Sequence, residues 1–472
     1  MTLTAILLFS FQGGDLVLSA ERLHIGDGRV MENAVVEIAG GRIARVSTGS
    51  PPSEAIHVEG AHLTPGFVDT YSFMGIGPET VEEAREVTAS HRVADTASLG
   101  DPAFARAAIQ GVTAAYLSPD SMNVIGGLGA VVKTAGGRVP DLFAPQNSGA
   151  RVVERDAALK ITLSADASSG NSTGHRRSLR GRRPTTRMGT TWVLRNAFHK
   201  AAAWAATPSV NSVFTLQDRE MAILVDALEG RIPVRVQARR THDVQTALRL
   251  QEEFGWPRMI VEEGTESYLC SSMLAGAGVP VAAGPVFDDI SRSIAAGPSL
   301  AELKAMANPP AVCCEDQGEG HEHGEAFIPV DSFAFELLLL TVPRYESASG
   351  FLRGRRSEAR KASPALARLL EEAGVVHTFG AGEGHQSQDG EASLVQQIRT
   401  AVRHGLEPTV AIRMATHDAA RLIGQGDNFG LVRAGYDADL VLWSGPPMSA
   451  SSKPLLVLID GKPVTDIQTV KR

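Results

Sequence analysis

The chain has 472 residues, enough for one large domain and a smaller one with an ample core. Apolar residues make up 43% and charged residues 21%, a globular balance that excludes a disordered or fibrous chain. A net charge of −8 argues against general nucleic-acid binding, and three cysteines cannot build a disulfide framework.

In chain order, Leu3 to Phe11 is an apolar stretch of signal-peptide length without a basic flank or a clean Ala-X-Ala site. It reads equally as an exported leader or as an extra strand, so the location is cytoplasmic or exported. It is too short to span a bilayer as a helix, and no transmembrane span is expected. Asp15 to Val46 alternates apolar and polar residues around Gly26-Asp27-Gly28 and Gly40-Gly41, which predicts successive hairpin strands. Helix-then-strand units follow: Ala103–Gln110 with Val112–Leu117, Gln245–Phe254 with Met259–Val261, Ser271–Ala277 with Val279–Ala283, and Pro364–Ala373 with Val375–Phe379. That repetition predicts a parallel sheet closed into an α/β barrel of the TIM type. Short strands return at Asp439–Trp443 and Leu456–Val464.

Residues Pro65 to Gly75 read Pro-Gly-Phe-Val-Asp-Thr-Tyr-Ser-Phe-Met-Gly. This resembles the amidohydrolase-superfamily signature Pro-Gly-Phe-(Val/Ile)-Asp-X-His-X-His, with Tyr71 and Phe73 at the two histidine positions. The segment Asn428 to Trp443, with Gly435-Tyr-Asp-Ala-Asp-Leu-Val, resembles the family ending that leads from the barrel back to a β-sandwich. Ser121–Gly127, Val131–Thr134 and Pro184–Gly189 are similar to an imidazolonepropionase-like subgroup. The resemblance covers most of the chain. It implies a barrel over 65–426, with a composite sandwich from 15–64 and 427–472 and an apolar segment at 1–14.

It also implies hydrolysis of carbon–nitrogen bonds other than peptide bonds, using one or two divalent metals such as zinc. Position by position, the ligands are missing. The His-Ala-His of a later strand matches Gln237 and Arg239, and Glu263 stands where the next strand carries its histidine. Ala165 stands at the bridging acid and Gly382 at the final aspartate. Phenyl, alanyl and glycyl positions offer no ligand atom, and a guanidinium at 239 opposes a cation. No metal is therefore expected at the barrel site, and Arg239 is expected to pair with Glu263 across neighbouring strands.

Other candidates are weaker. Glu262, Glu263, Asp69, His377 and His385 lie in or beyond segments expected at the barrel mouth, and paired carboxylates there suit acid–base work. Cys313, Cys314, His321 and His323 sit in an acidic, Gly-rich loop over 311–326 that reads as a flexible segment or a second metal cluster. The arginines from Arg176 to Arg187 read as a solvated loop or an anion-binding face. The expectation is a silent homologue, a homo-oligomer or a heteromer with an active relative. A hydrolase with a remodelled site and a small-molecule binder are the alternatives.

Overall fold

A computed structural model describes residues 16–76, 82, 84–137, 149–168, 171, 182–207, 215–284, 358, 361–382 and 393–464. The Leu3–Phe11 segment, the 311–326 loop with Cys313, Cys314, His321 and His323, and His385 lie outside them. Among the described residues no helix is long and apolar enough to cross a membrane.

Both chain ends build one eight-stranded sheet. Its first strands are β1 (Leu16–His24), β2 (Val30–Ala39), β3 (Arg42–Thr48), β4 (Ile56–His57) and β5 (His62–Pro65). The β2–β3 turn is Gly40-Gly41 at φ +58° and +84°, a conformation that costs glycine little and matches the twist of a tight hairpin.

The second sheet is the barrel. Its strands are β6 (Phe67–Ser72), β7 (Val112–Leu117), β8 (Ile125–Gly137), β9 (Gly149–Thr162), β10 (Val234–Ala238), β11 (Met259–Glu263), β12 (Val281–Ala283) and β13 (His377–Phe379). The seam between β13 and β6 closes through Gly382, whose N–H donates to Tyr71 O at 2.7 Å and whose carbonyl accepts from Phe73 N at 3.0 Å. The expectation of a uniformly parallel sheet needs one correction. β8 runs antiparallel to both β7 and β9, whereas β6–β7 and the run from β9 to β13 are parallel.

Helices α1 (Pro102–Ile109), α2 (Arg187–Ala205), α3 (Leu216–Leu228), α4 (Thr241–Phe254), α5 (Ser271–Ala277), α6 (Leu366–Glu372), α7 (Leu394–Arg403), α8 (Pro408–Ala415) and α9 (His417–Leu422) accompany the barrel strands. Their limits follow local chemistry. Asp101 caps α1 by accepting from Ala103 N at 2.7 Å, with Pro102 in the first turn where its missing N–H costs nothing. Gly255, left-handed at φ +65°, stops α4. The chain then rejoins the first sheet as β14 (Leu440–Trp443), β15 (Pro454–Ile459) and β16 (Lys462–Pro463), with β14 against β5.

Two buried side chains join sheet and barrel. Trp443 packs on the Phe67 ring with centroids 5.4 Å apart and donates to Thr64 Oγ1 at 2.9 Å. Lys133 of β8 reaches Asp437 at 2.7 Å, Asp439 at 3.2 Å, and Asp460.

Candidate functional site

Strand periodicity explains what fills the barrel. In β10, Val234, Val236 and Ala238 face the outer core, so Arg235 and Gln237 face inward, and Arg239 continues that face just past the strand end. In β11, Val261 faces the outer core and Glu262 points in. Simple alternation would send Glu263 outward. Instead Glu263 adopts φ +63°, a left-handed conformation uncommon for a non-glycine residue, and its carboxylate turns into the mouth. Crowding there is close: a Cβ on Gly380 would lie 2.5 Å from the Tyr71 Cβ, and one on Gly284 2.8 Å from the Glu263 Cγ.

The upper layer centres on Arg239, only 2% exposed. Its Nε donates to Glu263 Oε2, and Nη2 donates to Glu263 Oε1 at 3.1 Å. Nη1 and Nη2 donate to Asp166 Oδ1 and Oδ2 at 3.0 and 2.5 Å, and Nη1 also donates to Glu358 Oε2 at 3.1 Å. Tyr71 Oη donates to Glu263 Oε1 at 2.7 Å. Gln237 Nε2 donates to that same oxygen at 2.7 Å and to Asp166 Oδ2 at 3.1 Å, while Gln237 Oε1 accepts from Ser164 Oγ.

Burial by itself lowers the Arg239 pKa, but Asp166 and Glu263 outweigh it and hold the guanidinium charged. Burial pushes the Glu358 carboxyl up; Arg239 opposes that rise, while Asp166 and Asp243 add to it.

A deeper layer centres on Glu262, which is fully buried. It accepts from Arg235 Nε at 2.6 Å and pairs with Lys160 Nζ, which also donates to Ser118 Oγ at 3.0 Å. Burial pushes its carboxyl up, but Lys160 and Arg235 together hold it below the usual range. The Arg235 guanidinium lies 3.8 Å from the Tyr116 ring centroid.

The expected positions fall as follows. Tyr71, Gln237, Arg239 and Glu263 meet at the mouth, and Gly382 lies on the adjoining seam. Phe73 meets Tyr71 edge-on at 5.1 Å, an apolar wall. The Ala165 N–H donates to Glu358 Oε1 at 2.9 Å. Asp69 Oδ1 accepts from Tyr71 N at 3.1 Å and Ala381 N at 2.9 Å, so this carboxylate ties the first barrel strand to the last.

Two candidates need correcting. His377 is the first residue of β13, level with Val281, whereas Phe379 is level with Ala283 and Glu263 at the mouth end. Its ring lies edge-on to Phe379, a member of the apolar layer that includes Leu394 and Ile398. Burial lowers its pKa to about 4. Within the arginine cluster, Arg182 donates to Asn123 Oδ1 at 2.8 Å and Met122 O at 2.7 Å, Arg183 pairs with Glu86 at 2.8 Å, and Arg187 pairs with Asp243 at 2.8 Å and with Glu358. These three are structural ties; Arg176, Arg177 and Arg180 lie outside the described residues.

Asp166 and Glu358 were not among the expected site residues. Asp166 stood in the segment Leu163-Ser-Ala-Asp166, one residue beyond the position expected to carry an acid. No sequence signal pointed to Glu358.

This donor set does not fit a catalytic divalent metal. The carboxylates are spread around a planar guanidinium, the described mouth residues supply no imidazole, and a fixed positive charge sits among them. At about 4 Å and an effective dielectric near 20, that charge opposes each unit of an incoming cation by roughly 4 kcal/mol. Among the described residues no group of His, Cys, Asp and Glu is disposed to hold a metal ion. Tyr71→Phe is expected to lower stability, because Glu263 Oε1 loses one of its donors while keeping those of Gln237 and Arg239. Losing the donor to a buried carboxylate should cost about 1.5 kcal/mol in urea unfolding; a change below a few tenths would show that this bond contributes nothing.

A sequence model described as the amidohydrolase family matches residues 335–466. Amidohydrolase tasK of Hapsidospora irregularis is 23% identical over 450 residues, covering 89% of this chain and 39% of that protein. The chain thus spans about two fifths of that relative's length. Among solved structures, an amidohydrolase from Thermotoga maritima MSB8 superposes with a TM-score of 0.69 at 24% identity, covering 95% of this chain and 99% of the other. A Xaa-Pro dipeptidase with bound methionine gives 0.50 at 16% identity, with the same coverages. At these identities the structural likeness speaks for the fold. The signature segments lie on that fold, and the sequence matches agree with it in making the chain similar to the amidohydrolase superfamily.

Proposed function

We propose that this chain is a catalytically silent member of the superfamily. In this reading it performs no metal-dependent hydrolysis and acts by pairing with, or regulating, an active relative that cleaves carbon–nitrogen bonds other than peptide bonds. The observation that carries the reading is the Arg239 guanidinium, at one ligand position of the resembling motifs, held by Glu263 at another and by Asp166 and Glu358 beside them. Metal hydrolysis needs a bound water brought to a pKa near 7 and a base to take its proton. Tyr71, Phe73, Ala165, Gln237 and Gly382 supply neither. The imidazolonepropionase-like subgroup is part of this proposal and rests on Ser121–Gly127, Val131–Thr134 and Pro184–Gly189.

The remodelled-hydrolase alternative would draw on Glu262 and Glu263 for acid–base work. Both carboxylates are committed to buried cations, Glu262 to Lys160 and Arg235 and Glu263 to Arg239, which counts against it.

The test is elemental analysis of the purified protein beside assays on amides, ureas, lactams and imidazolones. Zinc, manganese and iron should each fall well below one equivalent, with no chelator-sensitive turnover. Tyr71→His and Phe73→His should not create activity, because one imidazole cannot replace several missing ligands. Stoichiometric zinc lost in Glu263→Ala, together with chelator-sensitive turnover, would overturn the proposal in favour of a remodelled enzyme.

A further inference from the structure

Arginine can be a surface accessory or a ligand, and the number of its donors that are engaged distinguishes the two. A guanidinium has five N–H donors in a rigid planar fork. Arg239 makes five hydrogen bonds: Nε to Glu263, Nη1 to Asp166 and Glu358, and Nη2 to Asp166 and Glu263. Two of the partners, Glu263 and Asp166, are bidentate, the geometry in which guanidinium recognition is strongest and most shape-selective.

The receptor is itself braced. Tyr71 and Gln237 hold Glu263, Gln237 also holds Asp166, and Arg187 and the Ala165 N–H hold Glu358. Asp166 and Glu358 are almost fully buried, and Glu263 is 4% exposed. The oxygens lie where they meet the edges of a plane, not where they converge on a point, as a hard divalent cation requires.

We infer that the barrel mouth is built as a guanidinium receptor that Arg239 occupies in cis, so that only a chain lacking this side chain would take up a small planar guanidinium cation. The inference rests on the metal-independent reading of the mouth. Arg239 then serves as a tethered ligand, closing the site that relatives by resemblance keep open for a metal. Shortening the side chain should expose a cavity whose acceptors select methylguanidinium over methylammonium or calcium, since only the planar fork reaches Glu263 and Asp166 bidentately together.

The experiment is chemical rescue of Arg239→Ala, read as the thermal unfolding midpoint in millimolar methylguanidinium, methylammonium or calcium chloride at matched ionic strength. The variant should melt below the wild type and regain at least about 3 °C in methylguanidinium, saturably and at least tenfold more tightly than in methylammonium. The wild type should not respond, and Arg239→Ala/Asp166→Asn should lose the rescue.

Rescue by calcium instead, or equal rescue by both organic cations, overturns the inference and leaves only a charge cage. Arg239→Lys keeps the charge and most of the length, so it covers the case in which the alanine variant does not fold. It should melt several degrees below the wild type; equal stability would show that the fork is not being read. Zinc binding by the wild type would sink the metal-independent reading, whereas failed rescue in a metal-free protein sinks only the receptor.

Discussion

Glu262→Gln is expected to cost about 3–5 kcal/mol or to prevent folding, because it leaves Lys160 and Arg235 as uncompensated charges inside the barrel. All three side chains are at most 1% exposed, so water cannot take over the role of the lost carboxylate. Arg235 keeps its contacts with the Thr70 carbonyl at 2.5 Å and the Tyr116 ring, which are too weak to replace a full counter-charge. Glu262→Gln/Lys160→Met restores the original net charge of the cluster and should recover part of the loss. Urea unfolding of the three proteins checks this, and a single variant within 1 kcal/mol of wild type would contradict it. The pH dependence has a definite sign. Since the folded-state pKa of Glu262 lies below its ordinary value of 4.5, its stabilisation is present above that value and is lost as pH falls through the folded pKa. The glutamine variant should therefore have a shallower acid limb.

The depth of this layer shows what the sequence conveyed and what it withheld. The hairpins, the β7, β11 and β13 strands and the returning β14–β15 ladder follow from alternation, turn residues and apolar runs, and they fall where those signals lie. The direction of β8 was not legible. A strand buried on both faces, as Ile125–Gly137 largely is, carries no alternation from which its orientation could be read. The pairing of Arg239 with Glu263 was legible, because adjacent strands bring their ends together. The rest of the mouth was not. Asp166 reaches Arg239 from a short 3-10 turn after β9, and Glu358 from far along the chain, contacts that depend on tertiary geometry rather than on spacing. Nothing in the local sequence around Lys160 and Arg235 marks them as partners of Glu262; the closed barrel brings them to it.

The same physics governs the joint between barrel and sheet, where Lys133→Met should cost about 3–5 kcal/mol at neutral pH. Lys133 is 1% exposed and supplies the cation for Asp437, Asp439 and Asp460. Asp460 also pairs with Arg151 at 2.6 Å and Asp437 with Arg42 at 3.3 Å, whereas Asp439 is 2% exposed and has Lys133 as its ion-pair partner. Burial pushes the Asp439 carboxyl up to about 6 despite Lys133, with Asp460 adding to the rise. A raised carboxyl contributes stability that is present below its ordinary pKa of 3.8 and is lost as pH rises through about 6. Asp460 has the opposite sign: burial pushes its carboxyl up, Lys133 and Arg151 hold it below its ordinary value, and its contribution exists above that value. Removing the lysine raises Asp439 further and withdraws a main cause of the Asp460 depression, so both changes enlarge the defect as pH rises. The stability gap between wild type and Lys133→Met should be smaller at pH 4–6 and widen as pH rises above about 6, where Asp439 ionises in the wild type but is held protonated in the variant. Denaturant midpoints across pH 4–8 measure that gap, and a gap independent of pH would show that Lys133 acts through packing on Phe429, 5.5 Å away, rather than through charge.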